Sequence, residues 1–341
     1  MRMVNPSKLG AAAALALLTP WALAACGSED TAATPAPSGA CPAAPVEVVV
    51  SVDQWGDIVS QLGGDCAQVR TVIAGSSVDP HDYEPAPSDA VAFEDAQLVV
   101  INGGHYDEWA AKLAATSAPD APLISAVDLA GGHDHGDHDH DHEGHDHGDD
   151  HEGHDHDHEG HDHGGTNPHA WYRPATVHAL ADAVTAELGN LAPDAREYFE
   201  ARRAEFADRT AEYDSLIERL RTEVTGKTYA ATESVFDDMA AAVGLQDRTP
   251  PGYQVSASNE TDPSPGDLAA FLTLLEDRGV DVLIVNTQTE GSMPAQLRGA
   301  AEAAGVPLVE VTETVAPGAD SFQAWQVDQL RTLAEALGVS A

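Results

Sequence analysis

Runs of apolar, β-branched residues alternate with helical patterns in two regions of the chain. In residues 46–129 the strand-like segments include VEVVVSV, VRTVIA and LVVING, and segments with helical spacing such as QWGDIVSQL lie between them. The same alternation resumes beyond Gly226 with TYAAT, VDVLIVNT and PLVEVTE. Continuous apolar strands separated by helices are typical of parallel sheets covered by helices on both faces. We therefore expect an α/β fold made of two (β/α) lobes with mostly parallel sheets.

A long helical pattern connects these two regions. The segment APDAREYFEARRAEFADRTAEYDSLIERLRTEV carries apolar residues at helical spacing, which predicts one helix about 45 Å long. A single long, rigid helix between two lobes leaves a ligand cleft between them and predicts modest hinge motion. The predicted organisation is an N-terminal lobe over residues 46–190, a linking helix over 191–225 and a C-terminal lobe over 226–341.

The first residues have the anatomy of an export signal. Arg2 and Lys8 precede a short apolar run that ends in small residues and is too short to be a comfortable membrane span. LAAC, which ends at Cys26, resembles the bacterial lipoprotein box, in which the cysteine is lipidated and becomes the first mature residue. We expect a lipoprotein signal peptide over residues 1–25 and a flexible tether over 26–45. A plain secretory signal with a chance cysteine is the alternative.

Export would expose two further cysteines, Cys41 and Cys66, to an oxidising compartment. Each cysteine precedes a strand-like segment, so both lie at the same end of the sheet if these strands are parallel neighbours. We expect a disulfide between them. The alternative is two free thiols, and their spacing is not the CxxC of a metal or redox motif.

The net charge of the chain limits the classes of partner that it can bind. Its 57 acidic and 16 basic residues give a net charge of −41, which repels phosphate backbones and anionic lipids and concentrates cations. Nucleic acid is therefore a poor candidate partner, and a metal cation is a good one.

Thirteen of the 17 histidines lie in one run of alternating histidine and acidic residues between Gly131 and Gly165. Repeated His-Asp and His-Glu pairs cannot build a packed core, so we expect a disordered, solvated loop. Neutral imidazoles suit zinc better than manganese, and we expect the loop to collect or buffer zinc beside a main site. The alternative is a tolerated insertion that binds metal only incidentally. The histidines of this accessory loop are His133, His135, His138, His140, His142, His145, His147, His151, His154, His156, His158, His161 and His163.

Two histidines and two glutamates stand where strands of the two lobes meet the predicted cleft. His81 lies in the loop after the second strand, and His169 lies in NPHAWY. Glu233 lies just past TYAAT, and Glu313 ends PLVEVTE. Acids in a cleft cost desolvation free energy unless a cation pairs with them. Two imidazoles and two carboxylates from opposing lobes would form a closed four-ligand set for a divalent transition-metal ion.

Two histidines outside the loop have other interpretations. His105, in NGGHYDEW, follows a strand and could approach the cleft as a ligand, as a neighbour of one or as an ordinary loop residue. His178 lies in a helical pattern, and we expect it to be structural.

The order of several motifs resembles that of the zinc/manganese-type solute-binding proteins of bacterial ABC transporters. These motifs are DPHDYEP, NGGHYDEW, the histidine-rich run before NPHAWY, the long helix, ATESVF, VNTQTE and VTETVAPG. The resemblance covers the chain from about Val46 to its C-terminus. It implies two (β/α) lobes bridged by a rigid helix, one metal ion between them, and delivery to a membrane permease powered by a cytoplasmic ATPase.

The resemblance also implies a role for each candidate ligand. His81 and His169 match the two histidine ligands of the family's first lobe. Glu233 falls where many zinc-type members have a third histidine and manganese-type members have a glutamate. Glu313 falls where the family usually has an aspartate, and Glu290 in VNTQTE is a competing acid. A set of two histidines and two carboxylates also suits Mn(II), whereas the histidine-rich loop favours Zn(II).

We therefore expect a monomeric lipoprotein, not an enzyme, that captures Zn(II) on the outer face of the cell membrane and hands it to a permease. The first alternative is a Mn(II)-binding protein of the same family. An exported metallohydrolase would use His81, His169 and one glutamate as ligands, but the sequence contains no HExxH or GxSxG motif. A surface metal buffer or adhesin without a transporter is the last alternative.

Overall fold

Two four-stranded parallel sheets form the framework of the structure. The structure is a computed structural model, and it describes residues 40–75, 83–130, 167–259, 261–289 and 291–340. The first sheet contains β1 (Val46–Val52), β2 (Ala67–Ile73), β3 (Leu98–Ile101) and β4 (Leu123–Ser125). The second contains β5 (Thr228–Ala231), β6 (Gln246–Asp247), β7 (Val282–Asn286) and β8 (Leu308–Val311).

The two sheets have the same topology. Their strand orders are β2-β1-β3-β4 and β6-β5-β7-β8, and every paired strand in the described residues runs parallel to its neighbour. The winding direction changes between β1 and β3 and again between β5 and β7. A crevice opens at the carboxyl ends of the strands where the winding changes. The predicted α/β fold with two mostly parallel lobes is therefore confirmed, and it directs the strand ends of both lobes towards a shared site.

Eleven α-helices cover these sheets within the described residues. The first lobe has α1 (Asp53–Gly63), α2 (Pro87–Glu94), α3 (Glu108–Ser117), α4 (Ala126–Ala130) and α5 (Pro174–Leu191). The long connecting helix is α6 (Arg196–Glu223). The second lobe has α7 (Asp237–Val243), α8 (Pro251–Ser258), α9 (Pro265–Glu276), α10 (Ser292–Ala304) and α11 (Phe322–Leu337).

The connecting helix α6 starts later than the pattern predicts. A 3₁₀ turn at Pro193–Ala195 separates it from α5 because Pro193 lacks the backbone N–H that a continuous helix would use. The 28 residues of α6 span about 42 Å. Near its start Tyr198 accepts a hydrogen bond from the backbone of Asp65 in the first lobe. Further along, the ring of Tyr213 packs edge-on against Phe322 of the second lobe.

One apolar core runs through both lobes. Its buried members include Val50 of β1, Leu216 of α6 and Ile284 of β7. The described residues from 40 onwards form one compact unit. The lobes therefore share packing as well as a connecting helix.

Two short elements of the second lobe have no counterpart in the sequence prediction. The strand β6 has only two residues, both exposed, so it lacks the apolar run that marks a strand. The helix α8 begins at Pro251, directly after Pro250. Such a proline pair is typical of a loop, although proline is tolerated at the first helical position.

Cys41 and Cys66 are joined by a disulfide with Cα atoms 5.0 Å apart. The bond closes the amino ends of β1 and β2, which pair in parallel from Val46 opposite Ala67. Within the described ranges, none of the helices combines the length and the apolar character needed to span a membrane. The predicted signal peptide and lipidated Cys26, as well as the histidine-rich loop, lie outside the described residues.

Candidate metal-binding site

Glu313 is a buried carboxylate at the centre of the cleft. It follows β8 by two residues and is 9% exposed. Its backbone N–H donates to Gln288 Oε1 at 2.6 Å, and its backbone oxygen accepts from Gln54 Nε2 at 2.5 Å. Because Gln288 belongs to the second lobe and Gln54 to α1 of the first lobe, both lobes hold this residue in place.

The side chain of Glu313 meets groups from both lobes. Its Oε2 accepts a hydrogen bond from the Tyr106 hydroxyl at 3.3 Å and lies 3.9 Å from His169 Nε2. Its Oε1 accepts from Asn286 Nδ2 at 2.8 Å. At this separation, a small movement of either side chain would let His169 Nε2 and Glu313 Oε2 bind the same metal ion.

The orientation of the His169 ring is set by Asn167. His169 Nδ1 lies 2.8 Å from Asn167 Oδ1, and an amide oxygen can only accept a hydrogen bond. Nδ1 therefore carries a proton, and in the neutral ring Nε2 on the Glu313 side would present its lone pair. This is the tautomer in which a histidine binds a metal through Nε2, with its other nitrogen donating to a neighbouring oxygen.

The segment that carries His169 is anchored to both lobes. Asn102 of the first lobe donates to the backbone oxygen of Pro168 at 2.7 Å. Asn167 Nδ2 donates to the backbone oxygen of Ser234 at 2.9 Å, and the Tyr172 hydroxyl donates to that of Thr312 at 2.6 Å. These two second-lobe acceptors are the chain neighbours of Glu233 and Glu313. Contacts on either side of His169 therefore tie its segment to the chain neighbours of both glutamates.

Glu233 is linked to Glu313 through one side-chain amide. It follows β5 and precedes a 3₁₀ turn, and its Oε2 accepts from Asn286 Nδ2 at 2.7 Å. Its Oε1 accepts from the Thr289 hydroxyl at 2.5 Å. Asn286 is the last residue of β7 and thus stands between the two carboxylates.

Aromatic side chains exclude water from one side of the site. His169 packs edge-on against Tyr106 and Trp171, with ring centres 6.1 and 5.4 Å away. Burial, and then the negative charge of Glu313, raise the pKa of Tyr106 well above its ordinary value. The hydroxyl therefore remains protonated and donates to Glu313 at any physiological pH. Low polarity around the carboxylate strengthens its attraction for a cation.

A shallow pocket borders Glu233 on the second lobe. It is lined by Ser234, Asp237 and Tyr253 among others. Asp237 accepts a hydrogen bond from the Tyr229 hydroxyl at 2.9 Å, and burial raises the pKa of its carboxyl to about 6.

The predicted ligands are only partly brought together. His169, Glu233 and Glu313 share the cleft, whereas His81 and Glu290 lie outside the described residues. In the parts of the chain that the structure describes, no three His, Cys, Asp or Glu side chains are grouped closely enough to hold a metal ion. Among the described residues, His169 lies beside Glu313, and the Asn286 amide donates hydrogen bonds to both Glu313 and Glu233.

The remaining histidines of the described residues lie apart from this cluster. His105 adopts a positive φ of 69°, and its side chain is 89% exposed and paired with Glu108. It does not join the buried group. His178 Nε2 lies 2.9 Å from Asp214 Oδ1, so it links α5 to α6.

Sequence reasoning missed the amides that organise the cluster. Asn286 and Asn167 lie inside VNTQTE and NPHAWY, but neither amide is itself a preferred metal ligand. The signal that could have found them is position, because each stands within four residues of a candidate ligand and at the end of a strand or the start of a turn.

The chain matches one family model and several known proteins. Residues 48–336 match the family model described as zinc-uptake complex component A, periplasmic (ZnuA). The high-affinity zinc uptake system protein ZnuA of Paracoccus denitrificans is 31% identical over 288 residues, which are 81% of each chain. The manganese-binding lipoprotein MntA of Halalkalibacterium halodurans is 23% identical over 79% of this chain and 78% of its own.

A solved structure shares the fold. The periplasmic zinc-binding protein TroA from Treponema pallidum superimposes with a TM-score of 0.67 and 15% identity, covering 86% of this chain and 99% of TroA. At this identity the likeness establishes the two-lobed architecture and does not identify the bound ion.

Proposed function

The chain belongs to the family of zinc-uptake complex component A, and on this premise we propose that it captures Zn(II) between its lobes and delivers the ion to the permease of an ABC importer. Members of this family are substrate-binding proteins of metal transporters and not enzymes. The metal ion is therefore cargo, and the protein's task is to bind it selectively and release it to a partner.

The pairing of His169 with Glu313 at the interface of the two lobes, together with the link from Glu313 through Asn286 to Glu233, carries this proposal. His169 Nε2 lies 3.9 Å from one oxygen of Glu313, and Asn286 connects the other oxygen to Glu233. Glu313 is buried and Glu233 is half-buried, and the Asn286 amide contacts one oxygen of each. Two carboxylates held close together in a partly buried site attract a cation strongly. A divalent cation would compensate both charges at once.

The proposed ligands are His81, His169, Glu233 and Glu313. Two imidazole nitrogens and two carboxylate oxygens form a closed set for one divalent ion, with no open coordination position for catalysis. Divalent zinc suits this set in a four-coordinate arrangement. Mn(II) is the alternative cargo, because two carboxylates also suit a harder ion and a 23% identical relative is a manganese-binding lipoprotein.

We place two accessory parts of this function in the segments outside the described residues. The histidine-rich loop over residues 131–165 would bind zinc beside the main site, since its two ends connect to α4 and to the segment that carries His169. Lipidated Cys26 and the tether over residues 26–45 would keep the protein on the outer face of the cell membrane. The protein would act as a monomer.

Metal titration of the mature protein tests the cargo. Zn(II) and Mn(II) would be titrated in competition with a chelator of known affinity, for the full protein and for a variant lacking residues 131–165. The expected result is one tight zinc that survives the deletion and is lost in His169→Ala and Glu233→Ala. His178→Ala is the matched control, because His178 pairs with Asp214 of α6 and not with a proposed ligand.

Two results would change this assignment. If all tight zinc left with residues 131–165 and manganese filled the remaining site, the protein would be a manganese carrier. If neither ion bound tightly to the variant, the four-ligand site would be wrong.

Uptake separates an importer component from a surface buffer or adhesin. A deletion strain is expected to grow poorly in zinc-depleted medium and to recover with the wild-type gene but not with Glu313→Ala. Unchanged growth and unchanged ⁶⁵Zn uptake in the deletion strain would favour a buffer. Release of a Cys26→Ala variant into the medium would support the proposal that lipidated Cys26 anchors the protein to the membrane.

A further inference from the structure

Two short segments from opposite lobes lie against each other beside the site. Residues 167–173, which include His169, form the His169 segment, and residues 234–238, which directly follow Glu233, form the Glu233 turn. The His169 segment precedes α5, and the Glu233 turn consists of a 3₁₀ turn and the start of α7. A contact between these two segments therefore joins the chain around one proposed ligand to the chain around another.

A hydrogen bond and an aromatic contact join the two segments along their length. Asn167 Nδ2 donates to the backbone oxygen of Ser234 at 2.9 Å. The ring of Tyr172 packs edge-on against Phe236, with ring centres 5.0 Å apart. These contacts occur in the same order along both segments, so the two segments form one continuous seam between the lobes.

An ion pair closes the end of this seam. Arg173 Nη2 donates to Asp238 Oδ2 at 2.8 Å, and the two side chains are 25% and 22% exposed. Within the described ranges, no other arginine or lysine of the first lobe pairs with an acid of the second. Burial raises the pKa of Asp238, and the charge of Arg173 and its hydrogen bond oppose that rise. Water therefore screens this pair less than it would screen a pair on an open surface.

The backbone holds both partners of the ion pair at fixed points. Arg173 stands immediately before α5, and its backbone oxygen accepts from the N–H of Thr176 at 3.0 Å. Its side chain makes no capping hydrogen bond to that helix, so removal of its charge leaves the start of α5 in place. Asp238 lies in the first turn of α7, where the helix dipole favours a negative side chain.

The seam bears on how a bound ion leaves. Release of an ion bound by both His169 and Glu233 requires that at least one of these ligands moves away from it. The seam opposes a local parting of the segments that carry them, and such a parting needs no wide opening of the lobes. The ion pair is the part of the seam that carries full charges. Loss of one partner leaves the other as a partly desolvated charge without its counter-ion.

We propose that Arg173 and Asp238 are positioning residues that form an interlobe clasp, which slows release of the metal ion by holding the His169 segment against the Glu233 turn. This inference rests on the proposed metal-binding function. It assigns control of the release rate to two side chains that are not themselves proposed ligands.

The rate of zinc release from the full chain tests this role. Each protein would be loaded with Zn(II), and an excess of a chromogenic chelator would report the dissociation rate. Arg173→Gln and Asp238→Asn each remove one charge, and each is expected to raise the rate about 3- to 10-fold. The double variant should release zinc no faster than the faster single variant, because the pair is already broken. Arg173→Lys keeps the charge and should stay closer to the wild type than Arg173→Gln does.

Two controls separate release from other effects. His169→Ala reports the zinc that leaves from all other positions, including the histidine-rich loop, and this component would be subtracted from every trace. Arg203→Gln breaks an ion pair with Asp182 that involves neither segment of the seam, and it should leave the rate unchanged. Circular dichroism and urea unfolding would establish that each variant is folded.

The outcomes distinguish the inference from the function on which it rests. Unchanged release in the folded Arg173→Gln and Asp238→Asn variants would overturn the inference. Additive effects in the double variant would also overturn it, because the two side chains would then act independently. In both cases, release that still depends on His169 would leave the proposed function standing. A wild type that releases zinc exactly as His169→Ala does would instead overturn the proposed function.

Discussion

Single hydrogen bonds decide how the buried groups of this site behave. The Asn167 side chain contributes three of them: its Oδ1 accepts from the backbone N–H of His169 and from Nδ1 of the His169 ring, and its Nδ2 donates to the backbone oxygen of Ser234. A ring that is free to rotate or to change tautomer would present its lone pair to a metal ion for only part of the time.

Asn167→Leu is therefore expected to weaken metal binding by about 10- to 100-fold, because both the tautomer and the anchoring of the His169 segment are lost. Isothermal titration with Zn(II) in the variant lacking residues 131–165 measures the change. Asn190→Leu, at an exposed asparagine near the end of α5, serves as the control and should bind as the wild type does. Equal affinities for the two variants would show that Asn167 does not orient His169.

Asp237 makes the stability of the metal-free protein depend on pH. Burial raises the pKa of its carboxyl from 3.8 to about 6, so between these values the folded protein keeps a proton that the unfolded chain has released. The unfolded state then binds fewer protons, and the free energy of unfolding falls as the pH rises from about 4 to 6. The contribution is present below pH 4 and is lost above pH 6.

Asp237→Asn should remove this loss because the amide oxygen can still accept from Tyr229 without carrying a charge. Relative to the wild type, the variant should gain stability as the pH rises, reaching about 2 kcal/mol at pH 7. Urea unfolding at pH 4 and pH 7 measures it. Asp277→Asn, an exposed aspartate after α9, should show no such gain. A difference that does not change with pH would contradict the role of burial.

At the scale of elements, α1 connects the first lobe to the loop and helix that follow β8. Gln54 donates to the backbone of Glu313, and Asp57 Oδ2 accepts from the backbone N–H of Phe322 at 2.8 Å. Phe322 is the first residue of α11, so Asp57 acts as a negatively charged acceptor at the amino end of that helix. Such an acceptor satisfies an N–H that has no partner inside its own helix and interacts favourably with the helix dipole.

Asp57→Ala is expected to lower the free energy of unfolding by about 1 kcal/mol, because the N–H of Phe322 loses its charged acceptor. Chemical denaturation at pH 7 measures this. The effect should shrink in high salt, which screens the dipole term. Asp277→Ala provides a surface control, and a loss no larger than in that control would exclude a capping role for Asp57.

For the whole molecule, shared packing limits how far the lobes can separate. One buried core contains residues of both lobes, α6 contacts both, and α1 bonds to the segment that carries Glu313. Wide opening would expose this core to water at about 25 cal/mol for each Å² of apolar surface. Binding of an ion should therefore adjust side chains more than it moves lobes.

Small-angle X-ray scattering of the variant lacking residues 131–165 tests this at the whole-molecule scale. The radius of gyration should be the same, within error, with and without zinc. A clear compaction on adding zinc would show that the lobes open further than their shared core suggests. Manganese-loaded protein is a useful comparison, because an ion-specific compaction would identify closure as part of selectivity.

The main secondary-structure elements, and the candidate ligands at their ends, could be predicted from the sequence. The alternation of apolar runs with helical spacing determines the parallel sheets, and NPHAWY, ATES and VTET already contain His169, Glu233 and Glu313 at the ends of elements. Elements without a run of apolar residues could not be predicted, as the exposed two-residue strand β6 shows. Patterns of this kind report which face of an element is buried, and they carry no information on which side chains of distant elements touch.

Only the tertiary structure decided how these residues meet. Asn286 can bridge Glu233 and Glu313 because β7 lies between β5 and β8, and that strand order is set by the way distant segments pair. Likewise, Asn167 reaches Ser234 only after the two lobes have packed on one core. The sequence by itself determined which groups could bind a metal ion, since that depends on side-chain chemistry. Their distances and donors were decided by the fold, because contacts between residues 27 to 67 positions apart follow from strand order and packing.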